Sequence, residues 1–479
     1  MGRSRRTTSI HVLDDDSLLH VFYLYRLFLL GEDEKDNARL IGGWKQWVCE
    51  RWWYTLTHVC KRWRDVILRS ASHLGLSLVC TYGTPVADML ALSPLLPLVV
   101  DYSGKPGNNR DLTTEDEEGI IFALKQHDRV LRVRLSPPVS SLRKFIAVMD
   151  EEYPVLEHLI IVFEDNSTTL MFPESFQAPH LHNLRLQGLA LPIGPRLLAN
   201  AEGLVVLSLV MLHPSTYFDP NTLLQWISLM SQLETLAIYF QFSIPNHNVQ
   251  KQLTHTSRHT SIITLPNLQH FHFHGVSNYL EALVHRITTP QLKDLRIGFS
   301  NQLTFSIPCL LQLIAAAENF RSSNAVLAFS DKRVIAGVYP PGPNLCPFSI
   351  SVYCWHLDWQ VSSIAQIFNL LSQMLSAVEF LVLQHDVHTK SSEEHDEVDR
   401  TEWRKLLKPF VNVKTLRIEK GLIKDFTCCF QLEDGEPPLE LLPELHELEY
   451  SGSDDTGDAF TSFIDARRNA GLPVTLVRL

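Results

Sequence analysis

Apolar residues recur in a short frame, apolar-x-x-apolar-x-apolar, along most of this chain. The frame occurs at Val130/Val133/Leu135, Leu156/Leu159/Ile161, Leu181/Leu184/Leu186 and Leu204/Leu207/Leu209. It continues at Leu233/Leu236/Ile238, Leu268/Phe271/Phe273 and Leu292/Leu295/Ile297. After a gap it returns at Val378/Leu381/Leu383, Val413/Leu416/Ile418, Leu445/Leu448/Tyr450 and Val474/Val477/Leu479. Alternation at the end of each frame predicts a short strand with one face buried. Between frames lie amphipathic stretches of helical period, at 141–149, 222–230, 278–287, 310–320, 362–375, 403–407 and 458–468.

The middle residues Val133, Leu159, Leu184, Leu207, Leu236, Phe271 and Leu295 are 23 to 35 residues apart. The 86 residues from Leu295 to Leu381 leave room for two weaker frames, at Leu327/Phe329 and Ile350/Val352. Several frames carry a proline just before the first apolar residue: Pro154, Pro179, Pro266, Pro290 and Pro443. Proline there ends the preceding helix or turn and sets an extended chain. One strand and one helix per repeat cannot bury an apolar face alone, but stacked neighbours can. The expectation is an α/β chain in which residues 126–479 form an irregular leucine-rich-repeat-like solenoid with parallel strands.

A doubly wound α/β domain also alternates strands and helices, but its strands tend to be apolar on both faces. Here the alternate positions are polar: Asn183, Arg185 and Gln187; His270, His272 and His274; Thr415, Arg417 and Glu419; Glu447 and Glu449. One face of the sheet is therefore wet, and it is the expected partner surface. His270, His272, His274, Arg296 and Arg417 are its candidate contacts.

The first eighty residues follow another pattern. Asp14, Asp15 and Asp16 precede Leu18, Leu19, Phe22 and Tyr25, which predicts a helix with acidic groups at its N-terminus. A second helix is predicted over 53–68. Trp53, Leu56, Val59, Cys60, Trp63, Val66 and Ile67 lie on one face and Lys61, Arg62, Arg64 and Asp65 on the other. Between them, 31–51 reads as an insert with a charged first part. Trp44, Trp47, Trp52, Trp53 and Trp63 lie in or just after it and supply the bulk a small helical unit needs for a core.

Leu13-Asp14-Asp15-Asp16 with Leu18, Leu19, Val21 and Phe22, followed by Val59-Cys60-Lys61-Arg62-Trp63, resembles the F-box motif over residues 9–72. Asp14 stands where that motif usually has proline, and the loop between the helices is long. The insert, together with 76–81 and Pro85, is similar to F-box proteins expanded in mushroom-forming fungi. The resemblance implies docking on a Skp-type adaptor of a cullin–RING ubiquitin ligase. It points to Leu13, Leu18, Leu19, Phe22, Val59, Cys60 and Trp63, some of which must be core rather than contact. Residues 73–125, including a Gly- and Asn-rich stretch at 103–118, read as a connecting segment.

Composition narrows the function classes. The 479 residues are 45% hydrophobic and 20% charged, ordinary for a folded domain. A formal charge of -11 provides no global field to attract nucleic acid. Eight cysteines are scattered, with only Cys428 and Cys429 adjacent and no C-x-x-C pair. That argues for reduced thiols and against a disulfide framework or zinc site. The basic start is followed by an apolar stretch interrupted by Arg26, and no run reaches the roughly 18 apolar residues of a membrane span. The expected location is cytoplasm or nucleus.

No G-x-S-x-G, P-loop, H-E-x-x-H or dinucleotide fingerprint occurs, so neither an enzyme nor a cofactor is expected. His270, His272 and His274 share one strand face, but their span of about 13 Å exceeds what one ion at bond lengths near 2 Å can bridge. Cys428 and Cys429 read as buried structural thiols. His385, Asp386 and His388 near an acidic loop have no supporting spacing for a triad. The run 391–397 reads as a solvated loop.

Overall fold

The computed structural model describes residues 13–30, 51–93, 95–103, 112–163, 170–191, 196–212, 218–240, 262–300, 302–340, 346–385, 399–419, 422–423, 426, 428–430, 441–451 and 460–479. Most of the insert, residues 104–111 of the expected linker, Asp386, His388 and the run 391–397 lie outside them. The chain divides into two compact units, Met1–Leu186 with Gly194–Ala201, and Gln187–Ile193 with Glu202–Leu479. Among the described residues no helix is long and apolar enough to cross a membrane.

The first unit opens with a helical head: α1 (Asp15–Leu30), α2 (Trp52–Thr57) and α3 (Lys61–Arg69). Asp14, where the motif has proline, acts as the cap of α1, its Oδ1 accepting from Ser17 N at 2.7 Å. That bond holds its carboxyl below the ordinary range. The single helix expected over 53–68 is two. Cys60 is extended at φ -160°, and its Sγ accepts from Trp63 N to start α3. Arg64 Nε donates to Thr57 O at 3.0 Å, satisfying a carbonyl at the end of α2.

Leu18, Phe22, Trp52, Trp53, Val66, Ile67 and Leu74 form the core of the head. Phe22 meets Trp63 edge-on at 5.0 Å. Arg62 joins α3 to α1 through Leu13 O at 2.6 Å and Asp15 at 2.8 Å. Gly75 (φ 60°) ends the following turn of helix in the left-handed region, with Leu76 N donating back to Ala71 O. A side chain at Gly75 would also press on the Arg26 guanidinium.

Residues 73–125 are not a connector. They hold β1 (Leu78–Cys80), α4 (Val86–Leu92), β2 (Leu98–Tyr102) and α5 (Thr114–Leu124). Residues 114–118 of the expected linker are the first turn of α5, fixed by a capping box between Thr113 and Asp116. Then come β3 (Val130–Leu135), α6 (Val139–Val148), β4 (His158–Val162) and β5 (Asn183–Gln187). The strands lie in chain order, β1-β2-β3-β4-β5, and β1 to β4 pair in parallel. The repeat thus begins about fifty residues earlier than the leucine frame suggests. The early strands, Leu78–Cys80 and Leu98–Tyr102, are buried on both faces and so lack the alternation that marks the others.

The second unit contains β6 (Val206–Leu212), α7 (Pro220–Ser228), β7 (Thr235–Phe240), β8 (His270–Gly275), α8 (Ser277–Val284), β9 (Asp294–Ser300) and α9 (Pro308–Ala316). It continues with β10 (Asn324–Ser330), β11 (Arg333–Tyr339), β12 (Phe348–Tyr353), α10 (Leu357–Leu370), β13 (Phe380–His385) and α11 (Arg400–Leu407). β14 (Thr415–Ile418), β15 (Glu447–Tyr450), α12 (Thr461–Asn469) and β16 (Thr475–Arg478) complete it. The frame's middle residues are register partners: Leu207 with Leu236, Leu236 with Phe271, Phe271 with Leu295, Leu381 with Leu416, and Leu416 with Leu448. Each is fully buried, a contribution of about 1.5–3 kcal/mol per side chain.

The prolines have a specific job. In Tyr153–Leu156, Ala178–Leu181, Leu265–Leu268, Thr289–Leu292 and Leu442–Leu445, proline is the second of four residues. The first leucine's N–H closes the turn on the carbonyl three residues back. Proline pre-sets the backbone of that turn position, so each repeat enters its strand through the same bend. In the last repeat the buried Arg467 of α12 donates to the carbonyls of Leu442, Pro443 and Leu445, bracing this bend from the helix side.

Two further expectations are corrected. Strand order around the gap is β9-β12-β11-β10-β13, not sequential, and β11 is antiparallel to both neighbours. The two-residue turn Asp331-Lys332 reverses the chain after β10, and a tight turn of that length builds a hairpin, not a parallel crossover. Leu327 and Ile350 do lie on buried strands, but β11 between them escaped the leucine frame because Val334, Ala336 and Val338 supply its inner face. At the end, Leu448 pairs with Leu476 rather than with Val477. That single-residue slip exchanges the two faces of β16.

Candidate functional site

Two surfaces stand out. On the helical head, the seven motif residues separate. Leu18 and Phe22 are buried; Leu19, Cys60 and Trp63 are half-buried; Leu13 and Val59 are exposed. Cys60 and Trp63 are occupied locally, the thiol as a helix cap and the indole against Phe22. The exposed apolar surface lies elsewhere on α1. Val21, Leu24 and Phe28 are 44%, 51% and 81% exposed at spacings of three and four, with Tyr25 and Leu29 beside them. Sequence reading missed them, although a signal was present. The run Val21–Leu30 is apolar on more faces than a three-helix head has room to bury.

The second surface is the polar face of the second unit's sheet. His270 pairs across to Asp294, and His272 to Arg296. Asp294 gathers all three: His272 Nε2 lies 2.9 Å, Arg296 Nε 3.1 Å and His270 Nδ1 3.5 Å from its carboxylate. Burial alone would raise this carboxyl. The bonds from His270 and His272 and the Arg296 charge outweigh it and hold Asp294 far below the ordinary carboxylate range. It is Asp294 that brings His270 and His272 together. Among the described residues, no group of three or more histidines, cysteines or acids is placed to hold a metal ion.

His274 points to the same face but into a different setting. Its Nε2 lies 2.5 Å from Ser300 Oγ, and its ring packs on Tyr353 at 4.5 Å and Tyr239 at 6.0 Å. Burial, with the Arg333 charge, pushes it down to about 4, so it is neutral near pH 7. Gly298 makes the packing possible, since a Cβ there would sit 2.7 Å from the His274 ring. Arg417 is on the same face further along. It pairs with Glu449, its register partner, and lies over the Phe380 ring at 5.3 Å. The five contact candidates therefore occupy outward strand positions, but Arg417 is not part of the His270–Asp294 cluster. Asp294, Tyr239, Ser300 and Tyr353 are members that sequence reading overlooked.

Cys429 is fully buried in a short helical turn, and burial pushes its thiol well above the ordinary range. That makes it a poor nucleophile.

No protein-family model matches the chain, and no curated protein is similar to it. Among solved structures, the leucine-rich repeat-containing protein LegL7 from Legionella pneumophila matches at 11% identity and a TM-score of 0.25. The match covers 81% of this chain and 97% of that one.

Proposed function

We propose that this chain is a non-catalytic receptor that holds a target protein on its repeat sheet and docks through its helical head on a Skp-type adaptor of a cullin–RING ubiquitin ligase. The observation that carries the reading is the pairing of two unlike surfaces. One is an exposed apolar stripe on α1; the other is a long, mostly parallel sheet whose outward face is polar. Apolar anchors such as Phe28 suit a stable docking contact, where a few buried side chains dominate affinity. A polar sheet face with aromatic members suits a protein ligand. Such a receptor acts by proximity: it raises the effective concentration of target lysines near a conjugating enzyme without supplying a reacting group.

Adaptor capture by the full-length chain tests this. Leu24→Asp with Phe28→Asp is expected to weaken binding more than tenfold while the fold is retained. Leu18→Asp is the wrong probe, because that side chain is core and its replacement unfolds the head. A folded chain that never captures the adaptor, or a double variant that binds as well as the parent, removes the ligase reading. In that outcome the second reading, a scaffold that no longer engages the ubiquitin machinery, takes its place. The burial of the motif anchors Leu18 and Phe22 is what favours that alternative.

A further inference from the structure

The polar sheet face of the first unit is richer in basic than in acidic groups. Arg132 and Arg134 of β3, His158 of β4 and Arg185 of β5 hold half-buried outward positions, Arg134 and Arg185 each between two buried neighbours. Arg132 is the register partner of His158, and Arg134 that of Ile160. Glu157 O accepts from both His182 N and Asn183 N, the pattern that elsewhere in the chain marks adjoining register partners. It sets His158 beside Asn183 and Ile160 beside Arg185. Arg134 and Arg185 therefore flank Ile160 in one row, two strand spacings or about 10 Å apart. At outward strand positions of this unit, Asp101 is the one acid among the described residues; it meets Arg134 at 3.5 Å and also accepts from Ser103.

The row behaves as a positive field. His158 is pushed down to about 4 by burial and by Arg132, His182 and Arg134. Arg185 is lowered by burial and by Arg134. All this occurs in a chain of formal charge -11.

We infer that this arginine row is a docking site for an acidic, carboxylate-rich segment of a partner protein, laid across β3 to β5. The inference rests on reading the sheet as a protein-binding surface, and adds where on it a partner sits and what chemistry it brings. Guanidinium groups match carboxylates in two-pronged geometry, and Ile160 gives the segment's methylenes an apolar floor between them. An arriving carboxylate also relieves the repulsion between Arg134 and Arg185. Nucleic acid fits poorly: a row about 10 Å wide meets one or two anions, whereas a duplex presents one charge per roughly 1.7 Å to a chain that repels it elsewhere.

Fluorescence anisotropy of the full-length chain with a labelled decaglutamate peptide tests the assignment. Expected is saturable binding that weakens with salt, is absent for decaglutamine, and falls at least roughly tenfold in R134Q/R185Q, with R468Q on α12 unchanged. The variant D101N leaves the arginines in place and releases Arg134, so it is expected to bind a few-fold more tightly. The assignment is overturned if folded R134Q/R185Q binds like the parent, if D101N binds more weakly, or if R468Q loses as much. It is also overturned if a single-stranded decathymidylate binds more tightly than decaglutamate. A protein partner that binds the chain but ignores R134Q/R185Q overturns this placement while leaving the receptor proposal standing.

Discussion

The helical head and the repeat array of the second unit solve the same burial problem in opposite ways. In the array, strand parity assigns core and surface: Leu416 is core and its neighbour Arg417 is not, and the same alternation runs along β8, β10, β12 and β15. In the head, residues four apart on α1 are buried (Leu18, Phe22), while others at helical spacing on the same element (Val21, Leu24, Phe28) face outward with equally apolar side chains. A period of two separates core from contact when read from sequence. A period of 3.6 on a helix that is apolar all round does not.

The sharpest test of that contrast is within α1. Phe22→Ala is expected to destabilise the protein by about 3–5 kcal/mol, and Phe28→Ala by no more than about 0.5 kcal/mol. Chemical denaturation measures both, and equal losses would mean that the exposed stripe is packed. In the array the same contrast falls between adjacent residues. Leu416→Ala should cost about 2–5 kcal/mol, and Arg417→Ala, which removes a half-exposed ion pair, about 0.5–1 kcal/mol.

Asp294→Asn sharpens the comparison on the polar side, with an expected loss of about 1.5–3 kcal/mol from its bonds to the histidines and Arg296. The sign with pH is set by the depressed carboxyl. Its contribution is complete above the ordinary carboxylate range and disappears as pH falls through the lower folded value, so the variant should flatten the acid limb of the stability profile. His274 titrates at less acidic pH. Because it is depressed from 6.5 to about 4, the unfolded chain takes up a proton first, and stability declines as pH falls across that interval. His274→Gln should remove that slope, measured as the pH dependence of the denaturation midpoint. A further effect lies outside both regions compared: Thr113→Ala, which opens the capping box of α5, should cost about 1 kcal/mol in chemical denaturation.

By itself the amino-acid sequence determined the repeat, its inward residues and the face that stays wet. Those follow from a two-residue alternation and a proline turn, both written within eight consecutive positions such as Pro154–Ile161. It did not determine the order of β10, β11 and β12, because a hairpin and a parallel crossover can bury the same apolar residues. The two-residue turn Asp331-Lys332 selects the hairpin only once β11, which carries no leucine frame, is known to be a strand. Nor could it divide the motif residues of the head into core and contact, or bring Asp294 to His270 and His272, or Arg134 to Arg185. Those groups lie on different strands, and the charges and burial they experience exist only once the sheet has set them side by side.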